Sequence, residues 1–476
     1  MQHLTKKYGL ITAICMVVGI VIGSGIFFKA TTVFDKTNGN AAMSLAVVLA
    51  VGAVMVICSY VFATLANKFE KVNGVVDYAE ATLGRRFAYY VGWFMTTMYY
   101  PILTSTLAWI SAMYTCGLVG IAVGGGEHLV LATLYLLLGY GVNALSPRLA
   151  GYFQVSTTII KLIPIGLLAI AGTIAGLVRG TTVASFAERI PSGSGGGFFA
   201  AVAAFAFAYE GWIIATAINS ELKNSKRNLP VALILGSVIV ISVYLLYFLG
   251  TVSVLTPSEI VGAGGNLPSV VFTSLFGSPV FGTIVMVFIV ISCLGTMNGL
   301  MLGCCRGMYS LAARGEGPCP KIFSRIDEKT EMPHNSSIIG LLLCGAWLFQ
   351  WQIFYCKPAD SPIPEFFAWE GDEVSIITLY AFYIPMFIAV MIKCRDLSPV
   401  KRFVMPALAL LCCGFMCYAA YDAYRADGKI FSYLATFAVI MAIGAVFDIL
   451  KTRREKKAGL TDDEYEESYF KCSSSG

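Results

Sequence analysis

One carboxylate stands inside an otherwise apolar run, in the stretch FAFAYEGWIIATAINSELKNSKRNLP from Phe205 to Pro230. This carboxylate is Glu210, and Gly211 follows it directly. Glycine frees the backbone to leave a helix, and an ionised side chain within hydrocarbon is costly unless it is paired or hydrated. The pair therefore predicts a break in a helix, at a place where polar groups are needed.

A second interruption lies in the first apolar run, YGLITAICMVVGIVIGSGIFFKA, where Gly23, Ser24 and Gly25 stand near the middle. Non-helical backbone at membrane depth survives only where it is buried in protein or faces water. Unwinding exposes amide N–H groups that attract a carboxylate and carbonyls that attract an ammonium. Two such breaks can hold an α-amino acid by both ends. The alternative is that the glycines only allow close helix packing, but two breaks in matching positions favour a binding site.

A lysine is the other ionisable group that the sequence places deep in a span. Lys161 lies about ten residues into FQVSTTIIKLIPIGLLAIAG, too far from the end to reach the membrane surface easily. It can be a structural ammonium that bridges the backbone carbonyls freed by the first break. That role is compatible with a function in transport, because a fixed cation there can replace a coupling Na⁺. A transporter with such a cation needs no sodium gradient.

Three roles are open for the Glu210 side chain. It can receive the cationic side chain of a substrate such as ornithine or lysine. It can bind and release a proton beside a cavity. It can also pair with a polar neighbour and never meet substrate. The backbone beside it is expected to bind an amine in every case.

The elements that must position these residues are apolar spans. The chain has 476 residues, of which 57% are hydrophobic and only 13% charged, against about 25% charged in soluble proteins. Runs of roughly 20 apolar residues predict membrane-spanning helices. We predict twelve, at about 9–29, 41–66, 86–115, 128–145, 151–178, 198–221, 230–254, 279–312, 336–351, 373–393, 402–424 and 429–450.

The distribution of basic residues predicts the orientation of these spans. With the N-terminus inside, the cytoplasmic segments carry 25 of the 33 Lys and Arg residues and the external loops carry 7. This asymmetry follows the positive-inside rule and places both termini in the cytoplasm of a plasma-membrane protein. The tail, residues 451–476, is a basic block followed by an acidic one. It is typical of a solvated segment near anionic headgroups.

Several classes of function do not fit this sequence. No nucleophile–base pair and no HExxH motif is found, which argues against an enzyme. Most of the 14 cysteines lie in apolar runs and no pair of CxxC motifs exists, so we expect no metal, cofactor or disulfide framework. A receptor would need a signalling domain, and a channel a continuous polar pore. Nothing in the sequence indicates a nucleic-acid partner; the expected partners are an amino acid substrate and membrane lipid.

Four segments resemble the amino acid–polyamine–organocation superfamily, and within it the L-amino-acid transporter branch. IGSGIF, from Ile22 to Phe27, is similar to the first-helix motif of that family. FAYEGW with NSELKNSKRNLP resembles the sixth-helix motif, and NALSPRLAGYFQVSTTIIKL the fourth-to-fifth helix segment with its lysine. GTMNGLMLGCCRGMYSLAARGEGPCPKIF resembles the eighth helix and its exit. The segments occur in family order between about residues 8 and 350.

The resemblance implies an all-α LeuT-type fold, a 5+5 inverted repeat in which helices 1 and 6 are broken. The first repeat would be 9–178 and the second 198–393. A short N-terminus, 1–8, would precede them, and two further helices, 402–450, would precede the tail. The motif positions implied to bind substrate are Ile22, Gly23, Ser24, Gly25, Phe207, Ala208 and Glu210.

Roles for most of these positions are implied by the same resemblance. Ser24 and Gly25 would donate N–H groups to the substrate carboxylate. Phe207, Ala208 and Glu210 would offer carbonyls to its ammonium, and Phe207 would close over the substrate as a gate. The family usually has a small residue where Glu210 stands, so this side chain is additional to the backbone role.

Two further positions are implied less directly. Tyr244 matches a seventh-helix tyrosine that orients the site, with Tyr247 as a rival. Asn298 faces either the side-chain pocket or a structural hydrogen bond.

The function implied is sodium-independent exchange of small or neutral L-amino acids by an antiporter, coupled through Lys161, in a bacterial plasma membrane. The alternative is proton-coupled uptake of an amino acid, or uptake of a cationic amino acid or polyamine, with Glu210 as the proton- or amine-binding group. Animal members of the family carry an external cysteine for an ancillary subunit. Cys116 lies near the corresponding loop, but its surroundings do not match, so the sequence supports no ancillary subunit.

Overall fold

Helices make up the architecture of the described residues. The computed structural model describes residues 9–23, 25–69, 74–145, 147–188, 196–213, 222–330, 332–356 and 361–458. The first ten α-helices are α1 Leu10–Val21, α2 Gly25–Lys36, α3 Ala41–Lys68, α4 Val75–Leu83, α5 Arg85–Phe94, α6 Tyr100–Val119, α7 Gly126–Leu145, α8 Pro147–Leu167, α9 Thr173–Arg179 and α10 Thr181–Ala187. Helices α5 and α6 are joined by the π-helical turn Met95–Tyr99, and α8 and α9 by Leu168–Gly172.

The later helices include the longest ones. They are α11 Gly197–Phe205, α12 Ser225–Val254, α13 Pro257–Ala263, α14 Leu267–Phe276, α15 Pro279–Ala312, α16 Pro320–Phe323, α17 His334–Gln350, α18 Gly371–Lys393, α19 Met405–Tyr424 and α20 Lys429–Ala458. A π-helical turn, Trp351–Tyr355, extends α17, and another, Val400–Val404, leads into α19.

Local sequence explains where several helices begin and end. The Asn40 side chain accepts a hydrogen bond from the Met43 amide at 3.1 Å and so caps the start of α3. Thr256 and Glu259 form a reciprocal capping box at the start of α13. At the end of α6, Gly120 takes a left-handed conformation with φ +73°, which glycine adopts without strain.

Many of the predicted spans coincide with helices that are long and apolar enough to cross a membrane. Among the described residues, nine helices pass this test, and the bent pair α1 and α2 passes it as a unit. The predicted span 128–145 falls on α7, which is 20 residues long. The predicted span 198–221 begins with the shorter apolar segment Gly197–Tyr209, and residues 214–221 lie outside the described part of the chain.

Long helices pack around the first two. Helix α12 lies against both α1 and α3, and α11 lies against α2, α3 and α19. On the other side, α15 contacts α6, α7, α8 and α17. Large apolar side chains on the periphery face outward, for example Ile11 at 78% exposure and Leu411 at 71%. An outward apolar surface is expected where the surrounding solvent is lipid.

The last helix is held to α5 mainly through its own backbone. The Tyr89 hydroxyl donates to the Gly444 carbonyl at 2.8 Å, and the Trp93 indole N–H donates to the Ile440 carbonyl at 2.9 Å. Nearby, Arg86 and Asp448 form an ion pair at 2.9 Å, although the Arg86 side chain is 75% exposed. A Cβ added at Gly444 would lie 2.6 Å from Trp93 Cδ1, so α20 approaches α5 as closely as glycine permits.

Candidate substrate-binding site

The first interruption separates α1 from α2. Helix α1 ends at Val21, and Ile22 is extended with ψ 95° while its amide still donates to Val18 at 2.9 Å. Gly23 follows in a bend, and α2 begins at Gly25 with its axis turned by 47°. Ser24, which the sequence also predicts to bind substrate, lies outside the described residues. A free helix N-terminus such as that of α2 attracts anions.

The second interruption follows α11. The backbone tightens into a 3₁₀ turn, Ala206–Tyr209, and then becomes extended at Glu210, where ψ is 159°. Gly211 has φ +104°, a conformation that side chains with a Cβ rarely adopt. The sequence predicted this break from the same glycine.

The two interruptions touch each other. A Cβ added at Gly25 would lie 2.5 Å from the Cα of Ala208, and one added at Gly211 would lie 2.7 Å from Ile20 Cγ2. Real Cβ atoms do not approach so closely, so both glycines are needed for the contact. The sequence left open whether these glycines break the helices or only allow close helix packing. In the structure they lie at breaks and also allow close packing.

Tyr244 on α12 connects the two interruptions. Its hydroxyl lies 2.7 Å from the Ala208 carbonyl and 3.1 Å from the Val21 carbonyl, and the side chain is fully buried. The last carbonyls of a helix lack helical partners, so a side-chain donor at this position stabilises the end of α1. Tyr247, the rival candidate, makes no such bridge: its buried hydroxyl has no hydrogen-bond partner among the described residues.

Lys161 on α8 reaches the same end of α1. The side chain is fully buried, and its ammonium donates a hydrogen bond to the Gly19 carbonyl. Gly19 lies in the last turn of α1, where carbonyls are left free by the break at Ile22 and Gly23. A buried positive charge therefore sits at the negative end of the α1 dipole.

The Glu210 side chain has a phenolic partner. It is half-buried, and the Tyr99 hydroxyl, in the π-helical turn of the third predicted span, donates to Oε1. Three other tyrosines interact electrostatically with the same carboxylate, namely Tyr100, Tyr380 and Tyr383. Among the described residues, tyrosine hydroxyls and rings thus lie around the carboxylate at the second break.

Comparison with known proteins decides the family. A family model described as "Amino acid permease" matches residues 8–460. The chain belongs to the amino acid permease family. This family lies in the amino acid–polyamine–organocation superfamily, as the motifs predicted.

Three relatives illustrate the family. The permease is 29% identical to the serine/threonine exchanger SteT of Bacillus subtilis over 399 residues, which cover 84% of this chain and 86% of that protein. It is 29% identical to the b(0,+)-type amino acid transporter 1 of Mus musculus over 364 residues, covering 75% and 71% of the two chains. Identity to the human cystine/glutamate transporter is 24% over 435 residues, covering 87% and 80%.

Family membership settles the broad function. The permease is a multi-pass membrane transporter of amino acids and not an enzyme. The geometry of the two breaks can be interpreted on that basis.

Two of the three carbonyls predicted to meet the substrate ammonium already have partners in this structure. The Phe207 carbonyl accepts the Glu210 amide at 3.3 Å, and the Ala208 carbonyl accepts the Tyr244 hydroxyl. Each carbonyl oxygen has two lone pairs, so one partner does not exclude a second. The Phe207 side chain is 8% exposed and thus lies within the packed core.

Asn298 on α15 makes a hydrogen bond within the protein. Its Oδ1 accepts from Asn143 Nδ2 at 2.9 Å, and Nδ2 of Asn143 also donates to the Gly139 carbonyl at 2.9 Å. Asn298 is only 4% exposed. Of the two roles predicted for it, this contact supports the structural one.

Sequence reasoning overlooked several polar residues of the permease. Tyr99 lies in the uncharged stretch 87–126, where nothing marks one tyrosine among its neighbours. The sequence predicts only Glu210 and Lys161 as deep ionisable groups. Lys29, Asp372 and Glu373 are buried as well, at 1%, 0% and 2% exposure. Lys29 and Glu373 stand at the ends of predicted spans, where a charge is usually taken to reach the surface.

Proposed function

We propose that this permease is a sodium-independent antiporter that exchanges small or neutral L-amino acids across the plasma membrane by alternating access. In this proposal its twelve spans comprise two inverted repeats, 9–178 and 198–393, followed by two further helices, 402–450. Both termini face the cytoplasm. The repeats would move relative to each other around a site at the two breaks.

The observation that carries the proposal is the contact between the two interrupted helices. The N-terminus of α2 at Gly25 meets the backbone at Ala208, so amide donors and carbonyl acceptors lie next to each other. We infer that the segment Ile22–Gly25 binds the substrate carboxylate. The carbonyls of Phe207, Ala208 and Glu210 bind the ammonium, and Phe207 acts as the gate.

Lys161 supports independence from sodium. A Na⁺ ion at this position would coordinate carbonyls at the broken end of α1. The Lys161 ammonium already donates to one of them, the Gly19 carbonyl. A covalently attached cation cannot leave with the substrate, so no ion gradient need be coupled to transport.

The named activities of relatives support exchange. SteT is described as a serine/threonine exchanger, and another relative as a cystine/glutamate transporter. Small polar amino acids are therefore the first substrates to test.

A second function is favoured by the surroundings of Glu210. A carboxylate among four tyrosines can hold an organic cation through charge and through the faces of the rings. It can equally bind and release a proton while it accepts the hydrogen bond from the Tyr99 hydroxyl. Uptake of a cationic amino acid or polyamine, or proton-coupled uptake, is therefore the alternative function.

Sodium-free proteoliposomes distinguish the two functions. We expect labelled serine and threonine to enter vesicles loaded with unlabelled amino acid and not empty vesicles. Uptake into empty vesicles that rises with an inward proton gradient would contradict exchange and support the proton-coupled alternative. A requirement for sodium would contradict the role of Lys161.

Glu210→Gln then separates the roles of the side chain in the same assay. A selective loss of lysine or ornithine transport assigns it to substrate charge, and loss of the response to a proton gradient assigns it to proton binding. Tyr99→Phe is the matched control, since it removes the hydrogen bond and keeps the carboxylate. If both variants resemble wild type, Glu210 is structural.

A further inference from the structure

A buried group of charges joins α2 to α18, away from the contact between the two breaks. Lys29 Nζ lies 2.6 Å from Glu370 Oε2, 2.7 Å from Glu373 Oε1 and 3.0 Å from Asp372 Oδ2. We call these four residues the Lys29 cluster. They connect the far arm of the first interrupted helix to the start of α18.

The Lys29 cluster is closed off from solvent. Lys29 and Glu373 have side-chain exposures of 1% and 3%, Asp372 is at 0%, and Glu370 retains 18%. The Tyr424 hydroxyl at the end of α19 donates to Glu373 Oε2 at 2.5 Å. The other titratable groups that act on Glu370 or lie beside it are Lys36 on α2 and Cys356 after α17.

The charges of the Lys29 cluster do not balance. Among the described residues, three carboxylates face one ammonium, and neither carboxylate oxygen of Asp372 receives a hydrogen bond of good geometry. Uncompensated charge in a buried site is expensive, and neighbouring carboxyls there commonly share a proton.

We propose that the Lys29 cluster is a proton-binding site that locks the α2 arm against α18. With one proton bound, the four groups carry a net charge of about −1, and loss of that proton leaves about −2 in a site with little water. Closure of α2 onto α18 therefore takes up a proton, and release of the proton favours separation of the two helices.

The lock acts on the proposed transport site through α2. Lys29 lies one helical turn beyond Gly25, which contacts Ala208 at the second break. Movement of α2 away from α18 therefore also disturbs the contact between the breaks. Under the proposed orientation this end of α2 is external, so external pH sets the balance between closed and open states; this side assignment rests on the proposed function.

Thermal denaturation of the purified full chain tests proton binding without any assumption about transport. A folded state that holds an extra proton loses stability as pH rises, because the unfolded chain binds fewer protons there. We expect the wild-type midpoint to fall between pH 5.5 and pH 8.5. Asp372→Asn should reduce that fall and raise the midpoint at pH 8.5 by about 2 °C relative to wild type.

Two further variants complete this test. Glu365→Gln is the matched control, because this carboxylate precedes α18 but its side chain is 64% exposed. It should keep the wild-type pH profile. Glu373→Gln serves in place of Asp372→Asn if that variant does not fold. If the thermal midpoint of Asp372→Asn, or of Glu373→Gln in its place, falls with pH as much as that of wild type, the proposal is overturned.

Exchange at varied external pH tests the lock itself. With internal pH fixed at 7.5, wild-type exchange should change severalfold across external pH 5.5 to 8.5, and Asp372→Asn should flatten the profile. An identical profile in both proteins would overturn the lock. Absence of exchange at every pH would instead contradict the proposed function and leave the thermal result unaffected.

Discussion

Lys29 and Lys161 are both buried in this permease, at 1% and 0% exposure, but they neutralise their charges differently. Lys29 meets three carboxylates at the start of α18. Lys161 donates to a backbone carbonyl at the end of a broken helix. Charge–charge pairing makes the first lysine the centre of the proposed lock between α2 and α18. Pairing with a helix end places the second lysine where backbone geometry would change during transport.

The difference shows how burial can serve two purposes. Removing one member of a buried ion network leaves the other charges uncompensated, so the change mainly lowers stability. Removing a cation from a helix terminus leaves only the partial charge of the helix dipole uncompensated, and water or a small ion can compensate it. The comparison therefore predicts that removal of Lys29 acts mainly on stability, whereas removal of Lys161 acts mainly on transport.

The largest effect is expected from Lys29→Met. This change leaves Glu370, Asp372 and Glu373 without their ammonium and should destabilise the fold by about 3–5 kcal/mol. The measurement is the thermal midpoint in detergent, together with the monodisperse fraction in gel filtration. Combining Lys29→Met with Asp372→Asn and Glu373→Gln should restore much of the stability. Wild-type stability in the single variant would show that the charges are compensated in another way.

Lys161→Ala should show the opposite pattern. We expect a folded protein whose exchange turnover falls on the order of 100-fold, equivalent to about 2.7 kcal/mol in the barrier. Lys223→Ala is the control, since this lysine is exposed. Turnover and thermal stability should be measured on the same preparations. Normal turnover would contradict a role for Lys161 in coupling. An unfolded variant would show that Lys161, like Lys29, is needed mainly for stability.

Tyr244→Phe extends the comparison to a neutral donor at the same helix end. Loss of the hydrogen bonds to Ala208 and Val21 should cost about 1–2 kcal/mol and slow exchange by about tenfold. Tyr247→Phe is a closely matched control, because its hydroxyl has no partner among the described residues. We expect it to alter exchange less than about twofold. If Tyr244→Phe and Tyr247→Phe slow sodium-free exchange equally, the bridging role of the Tyr244 hydroxyl is contradicted.

The smallest effect is expected from a half-buried lysine that pairs with an exposed carboxylate. Lys68 pairs with Asp396, whose side chain is 63% exposed, and such pairs contribute little. The hydrogen bond from Lys68 lowers the pKa of Asp396, so the contribution is present near neutral pH and is lost as pH falls through that lowered value. Lys68→Ala should leave the thermal midpoint at pH 7 unchanged within error. A large shift in the thermal midpoint would show that the Lys68–Asp396 pair stabilises the fold although its carboxylate is exposed.

The breaks could be predicted from sequence because their signals are local. Glycines beside a serine or a carboxylate in an apolar run conflict with a continuous helix. The structure places interruptions at Ile22–Gly23 and at Glu210–Gly211. Their mutual contact could not be predicted, because the distance between Gly25 and Ala208 depends on how α2 packs against α11 and the turn that follows it.

The Lys29 cluster escaped prediction for a different reason. Lys29 is separated from Glu370 by 341 residues and from Glu373 by 344. Each of these residues stands near the end of an apolar run, where a charge ordinarily meets water or headgroups. Only the tertiary arrangement shows that these ends are buried against each other. A single sequence carries no signal for such a pairing.

The attachment of α20 to α5 has a consequence for evolution and engineering. Tyr89 and Trp93 recognise the main chain at Gly444 and Ile440, and main-chain carbonyls are present whatever the side chain. The sequence of α20 can therefore drift widely, or be exchanged for the last helix of another permease, without loss of these two bonds. Position 444 is the exception, because any larger residue would displace the Trp93 ring.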